Sequence, residues 1–363
     1  MRNPQGHDAN VLATTYFVGD PTLQYGRQVW MPPNSRLVTW HPIRMPQLEN
    51  AEQTTFELRS MVLSNSNGAE TMATNEFGSM QFDQGLLVSR DEPVTAMIVD
   101  IATGRAPVAG VATSQDLLQT ARFDRGLRYN LTLFGDPLLP ASEEVLATLD
   151  HLMIASDRIK PDLAGIAAIR RWVAAGGHLW IQADTISSEL LAALLGDDGS
   201  LSEVDRVDLT SVHIESAASA VGPTEFEREL ERPARFVRVM AEDIAVDYLV
   251  NGWPAAFWKT FGEGKILVTT LESDAWVSPR TPKDPLPSGG KAFATDFSPS
   301  PPLSQLAFSF FTPRTPPPIS RELAEDHVRQ LIGYSIPSRT LVLGTLIGFT
   351  ALMLLLSLGL ARR

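Results

Sequence analysis

Between Thr340 and Ala361 the chain carries no acidic or basic residue: TLVLGTLIGFTALMLLLSLGLA. A helix of that length spans roughly 33 Å at about 1.5 Å per residue, against a hydrocarbon core about 30 Å thick. Arg339 flanks one end and Arg362-Arg363 the other. A soluble helix buries one stripe and keeps a polar face, whereas this run is apolar all round. It reads as a single transmembrane helix over 340–361. Gly344 and Gly348 form a GxxxG within it, the spacing that lets two membrane helices approach closely, so a homodimer through this face is a possible helix–helix contact.

Orientation is less constrained. The two terminal arginines would stay in the cytoplasm under the positive-inside rule and leave the acidic bulk outside. The N-terminus, MRNPQGHDANVLATTYFVGD, has no apolar signal-peptide core. We therefore expect a single-pass protein of the cell membrane with its folded part extracytoplasmic and an export signal upstream of residue 1. The alternative is a C-tail-anchored protein facing the cytoplasm.

The rest of the 363 residues exceed one ordinary domain. A formal net charge of -12 sets the chain against phosphate backbones and excludes nucleic acid as a main partner. There is no cysteine, which rules out disulfides, thiolate metal sites and a cysteine nucleophile together.

Residues 1–90 read as a β-rich, sandwich-like module of short Val-, Thr-, Phe- and Trp-rich strands broken by Gly, Pro and Asn, with Trp30, Trp40 and Phe56 as core or strand-face residues. Residues 91–275 alternate strands and helices, then return to strands. Strands are expected at 94–100, 128–135, 151–157 and 178–183, and helices at 113–126, 141–150, 161–177 and 187–196. That alternation implies an α/β domain with a parallel sheet covered by helices on both faces. Phe257–Leu271 reads as a hairpin turning at Phe261–Gly264. Eleven prolines between 277 and 318 suggest a Pro-rich extended tether over 276–319, followed by a juxtamembrane amphipathic helix at 320–335.

Chemistry-bearing motifs are scarce. There is no phosphate-cradling GxxxxGK[ST] or GxGxxG, no HExxH and no GxSxG. MIVDIATG (97–104) starts like a strand-Asp metal site, but Ala102 and Gly104 stand where hydroxyl ligands are needed, so no metal is expected at Asp100. No cofactor is implied.

The run 149–184 resembles the class I glutamine amidotransferase-like (GATase1-like) fold, with Trp172-Val173 and Gly176-Gly177 matching the "W-V-x-x-G-G" that closes its helix. The wider pattern looks like bacterial membrane-anchored proteins that carry such a domain. Val29-Trp30-Met31-Pro32-Pro33 comes first, the Gly262–Val268 hairpin follows, and Ile336-Pro337-Ser338-Arg339 precedes the span. The resemblance implies a flavodoxin-like parallel sheet with a nucleophile elbow at Trp180-Ile181-Gln182-Ala183-Asp184. The slot for the family's cysteine holds Gln182 or Ala183, so the glutaminase reaction is excluded.

What is left is a rim. In open parallel sheets ligands sit at the carboxyl ends of the strands, which here carry Asp100, Asp157, Gln182 and Asp184. We expect a degenerate site and no catalytic residue. The resulting reading is a non-catalytic, membrane-tethered scaffold or binding protein of the bacterial envelope with protein partners there. The alternative is a hydrolase or transferase using the rim carboxylates.

Overall fold

Strand-forming residues punctuated by turn residues build the N-terminal part as antiparallel strands. The computed structural model describes residues 1–40, 43, 55–66, 69–73, 80–86, 92–100, 111–128, 131–134, 139–140, 142–196, 201–217, 225–284, 295–312 and 339–361. In the N-terminal part these give β1 (Arg2–Asn3), β2 (Ala9–Phe17), β3 (Asp20–Met31), β4 (Ser35–Arg36), β5 (Thr55–Ser66), β6 (Ala69–Met72) and β7 (Met80–Leu86). One sheet runs β3-β2-β5-β6, with β7 also on β5, and β1 pairs with β4. Its small core is Val11, Val29 and Met31. A second packed sheet, as a sandwich would need, is not present among the described residues. Trp30 is a strand-face residue, 59% exposed, with Nε1 donating to Asp8 Oδ2 at 3.1 Å.

The α/β part is one nine-stranded sheet. Its strands are β8 (Thr95–Val99), β9 (Leu131–Phe134), β10 (His151–Ala155), β11 (His178–Gln182), β12 (Leu201–Ser216), β13 (Glu225–Ala241), β14 (Ala245–Val250), β15 (Trp253–Phe261) and β16 (Gly264–Thr269). They lie in the order β13-β12-β14-β15-β16-β11-β10-β8-β9. β9, β8, β10, β11 and β16 run parallel; β15, β14, β12 and β13 extend the sheet antiparallel. Ranked along the chain, the parallel strands stand in the order 2-1-3-4-5, that of flavodoxin-like doubly wound sheets. The hairpin at Phe261–Gly264 forms as expected, with Phe261 opposite Gly264.

Side chains alternate across this sheet with period 2. Met97, Met153, Trp180 and Leu267 point to one core; Ile98, Ile154, Ile181 and Val268 point to the other. The second core is covered by α2 (Glu143–Leu146), α3 (Leu163–Ala174) and α4 (Ser188–Leu195) through Leu146, Ile169, Trp172 and Leu191. The first is covered by α1 (Ser114–Asp124), α5 (Ser273–Trp276) and α6 (Pro301–Phe310). Caps start these helices. Thr113 and Asp116 form a reciprocal capping box on α1, and Asp162 Oδ1 accepts from Gly165 N on α3 at 2.9 Å.

The expectation of a tether over 276–319 is corrected for 276–284 and 295–312; 285–294 and 313–319 lie outside the described residues. β17 (Val277–Pro279) pairs with β18 (Phe297–Pro299), and α6 lays Leu303, Leu306, Ala307 and Phe310 fully into the first core. The prolines fit because Pro301 and Pro302 occupy the first turn of α6 behind the Ser300 cap, where the backbone N–H has no helical partner to lose. Pro301-Pro302 marks a helix start. Leu306→Ala is therefore expected to cost about 2–5 kcal/mol of unfolding free energy by urea titration, whereas a residue in an extended tether would change it by less than about 0.5 kcal/mol.

The chain divides into two units, Met1–Arg314 and Thr315–Arg363. In the second, the apolar run forms α7 (Arg339–Ala361), 23 residues long. Among the described residues no helix is long and apolar enough to cross a membrane. Gly344 and Gly348 lie on α7 with no other atoms close to where a Cβ would stand. The helix expected at 320–335, and Ile336–Ser338 of the motif before α7, lie outside the described residues.

Candidate functional site

The parallel strands end on one rim, and the segments leaving β10, β11 and β16 converge there. They enclose a cleft of about 550 Å³ whose charged lining is Asp157, Asp184, Glu203, Arg206, Arg235 and Glu272.

Each side chain reaches the cleft by a local rule. Asp157 follows β10 and accepts from Ser187 N at 2.7 Å and Ser187 Oγ at 3.0 Å. Ser187 is itself the N-cap of α4, so this carboxylate is engaged in fixing a helix start. Asp184 follows β11 in a short turn and is 5% exposed, with Oδ1 lacking any hydrogen-bond partner. Burial, then the neighbouring Glu272 carboxylate, push the Asp184 carboxyl up to about 8, so its neutral form predominates at pH 7. Glu272 lies just beyond β16. Its Oε2 accepts from Arg235 N at 2.8 Å, and its own N donates to Arg235 O at 2.9 Å.

Arg206 is fully committed. It grips Glu203 Oε1 and Oε2 at 2.9 and 3.1 Å and donates to the carbonyls of Asp184 and Ile186 at 3.2 and 2.7 Å. The turn after β11 is thus clamped from β12. Beneath it, Gln182 is buried, with Nε2 donating to Ser273 Oγ at 2.8 Å and Oε1 unpartnered.

Of the four rim residues expected from sequence, Asp157 and Asp184 meet in this cleft. Gln182 lies buried beneath it. Asp100 stands apart at the end of β8, where its Oδ1 accepts from Ser156 Oγ at 2.6 Å. Arg158 Nη1 donates to Val99 O at 2.7 Å beside it. The β8/β10 crevice is the topological switch point where a flavodoxin-like sheet would seat a ligand, and these bonds occupy it. The segment from Gln182 to Ile186 contains no residue with positive φ. The strained turn of a nucleophile elbow is therefore not formed there. Among the described residues no group of three His, Asp or Glu side chains could hold a metal ion.

Glu272, Arg206 and Arg235 were not legible as site residues. Glu272 had one available signal, its place just after the last parallel strand. The two arginines arrive from antiparallel strands by tertiary folding alone.

No protein-family model matches the chain, and no curated protein matches it. Among solved structures it is distantly similar to the cytoplasmic protein STM3548 from Salmonella typhimurium, at 12% identity over 61% of this chain and 100% of that one, with a TM-score of 0.41. It is also similar to the cytoplasmic protein STM1381 from Salmonella typhimurium LT2, at 15% identity over 49% of this chain and 86% of that one, TM-score 0.36. A β-galactosidase from Bacillus circulans sp. alkalophilus is similar at 11% identity over 50% of this chain, TM-score 0.36. The chain spans only 29% of the length of that β-galactosidase.

Proposed function

We propose that this chain is a non-catalytic, membrane-tethered binding protein of the bacterial envelope, held by α7 and presenting its folded unit to protein partners. The observation that carries the tether is a 23-residue helix with no charged residue between Thr340 and Ala361 and arginines at both ends. The non-catalytic part is supported by the rim. The slot that the amidotransferase resemblance reserves for a cysteine holds Gln182 or Ala183, both buried, with Gln182 bonded to Ser273, and the chain has no cysteine at all.

The alternative, hydrolysis or transfer by rim carboxylates, has one observation in its favour, the burial of Asp184, which pushes its carboxyl up to about 8. It also needs a second free carboxylate, and Asp157 is engaged by Ser187 while Asp100 is engaged by Ser156.

The tether is tested by fractionation. The twelve Leu, Ile, Val and Phe residues of the span favour insertion by roughly 0.3–0.6 kcal/mol each, about 5 kcal/mol in all, while one central arginine costs about 3 kcal/mol. The full chain is expected in membranes after alkaline carbonate washing. The double variant Leu346→Arg/Phe349→Arg is expected to reverse the balance and appear in the soluble fraction. A wild-type chain washed off by carbonate would overturn the tether.

A further inference from the structure

The rim cleft has a feature that its part in folding does not explain. Asp184 is almost wholly buried, lines the cleft, and leaves Oδ1 with no donor. An unsatisfied buried acceptor costs about 1–3 kcal/mol; the Gln182 amide and the Arg235 guanidinium lie near enough to favour the ionised carboxylate, and Oδ1 still has no hydrogen-bond partner. Arg206 spends its guanidinium on Glu203 and two carbonyls. Arg235 gives Glu272 only its backbone N–H among the described bonds. Glu272 is near enough to push the Asp184 carboxyl up; Asp157 lines the same cleft with its Oδ1 held by Ser187, and Glu203 is already neutralised by Arg206.

We propose that this cleft binds an organic cation, an ammonium or guanidinium group received by the Asp184 carboxylate with Glu272 near it and Asp157 on the same lining. Three observations select that chemistry. The carboxylates do not converge into a metal-ligand set among the described residues, so the ligand must reach separated acceptors. An ammonium offers three donors and a guanidinium five in a planar fork, which suits acceptors spread around a volume of about 550 Å³. After the Arg206–Glu203 pair cancels and with the Asp184 carboxyl neutral, the carboxylates of Asp157 and Glu272 face one exposed guanidinium, that of Arg235, so the lining favours positive charge. The inference is independent of the membrane tether, and either stands if the other fails.

The binding step exchanges one proton. Asp184 is protonated at neutral pH and must ionise to receive a cation, so binding releases that proton to buffer. Below the pH where Asp184 ionises, affinity is expected to rise about tenfold per pH unit. A merely structural carboxylic acid would show no such slope.

The test is calorimetric titration of the full chain in non-ionic detergent. The probes are agmatine, N-acetyl-arginine-N-methylamide, and N-acetyl-citrulline-N-methylamide as the neutral isostere. Binding of agmatine is expected to tighten about tenfold from pH 6 to pH 7. The heat is expected to vary with buffer ionisation enthalpy, and the citrulline compound is expected not to bind. Asp184→Asn keeps the volume and is expected to weaken binding at least tenfold and flatten the pH slope. Glu272→Gln, which leaves Asp184 in place, is expected to weaken binding while retaining the proton release. Near-UV circular dichroism confirms that both variants are folded. Binding of agmatine alone identifies a free small cation as the ligand, and binding of both cationic probes identifies a basic side chain of a partner. Either supports the site. Absence of binding by both cations, equal binding of the citrulline compound, or a pH-independent affinity unchanged in Asp184→Asn would overturn it.

Discussion

Gly264→Ala is expected to destabilise the folded unit by at least about 3 kcal/mol. A Cβ at Gly264 would lie 2.1 Å from Val173 O and 2.4 Å from Gly177 O. Both are backbone atoms at the end of α3, so no rotamer change can relieve the clash, and overpacking of this kind forces the backbone apart. The same junction explains two sequence motifs at once. Gly177 lies against the face of Trp172, where a Cβ would stand 2.3 Å from the indole. Trp172 is anchored by Nε1 donating to Leu149 O at 3.2 Å. Glu263 N donates to Ala174 O at 2.9 Å, and Gly262, at φ 60°, is within 2.5 Å of the same carbonyl by its Cβ position. The "W-V-x-x-G-G" and the glycines of the β15–β16 turn are thus the two halves of one helix-to-hairpin contact. Urea titration followed by tryptophan fluorescence checks this. A Gly264→Ala midpoint equal to wild type would show that α3 and the hairpin do not meet as described.

A second large effect is expected from pH. His151 sits at the amino end of β10, fully buried, with both ring nitrogens unpartnered. Phe310 and Phe311 pack on it at 5.0 and 5.2 Å, and it pairs across the sheet with His178 at 5.4 Å. His178 Nδ1 lies 3.0 Å from Phe310 O. Burial first, then His178 and the Arg122 guanidinium, push His151 down from 6.5 to about 3. The unfolded chain therefore binds a proton between those values that the folded chain refuses. Stability is retained above pH 6.5 and lost as pH falls toward 3, by on the order of 5 kcal/mol over the whole window. His151→Leu conserves apolar volume and is expected to stay within about 1.5 kcal/mol of wild type at pH 7. Between pH 6.5 and pH 4.5 it should lose roughly 2–3 kcal/mol less than wild type. Parallel pH dependence in the two proteins would mean that His151 is hydrated or protonated in the folded state.

The architecture of residues 91–200 was legible because each element carries its own signal. Apolar runs such as Met97–Val99 and Leu179–Ile181 suit strands buried on both faces, and Gly176-Gly177 ends α3 where the backbone must leave the helix. Helix α6 was hidden because proline density was read as extended chain, although Ser300-Pro301-Pro302 is a helix start followed by Leu303, Leu306, Ala307 and Phe310 at helical spacing. The N-terminal strands were visible by composition, but not their assembly into one sheet with a small core. The rim was half legible. Strand ends located Asp157 and Asp184, while Glu272, Arg206 and Arg235 join them by contacts between residues distant in the chain, such as Arg206 with the Asp184 carbonyl and Arg235 with Glu272, that no local pattern encodes. Asp100 was placed on the rim by the same rule, and its bond to Ser156 keeps it out of the cleft.

The tether is the part of the account on which the biological reading turns, and labelling in intact cells tests it most directly. Glu242 is exposed in the turn after β13, and the chain has no native cysteine, so Glu242→Cys introduces a single reactive thiol. The labelled chain is expected in carbonate-washed membranes and is expected to react with a membrane-impermeant maleimide in intact cells, as an extracytoplasmic unit held by α7 would. Label acquired only after lysis, on membrane-bound chain, would keep the tether and turn the unit toward the cytoplasm. Recovery of the chain in the soluble fraction would contradict the central claim.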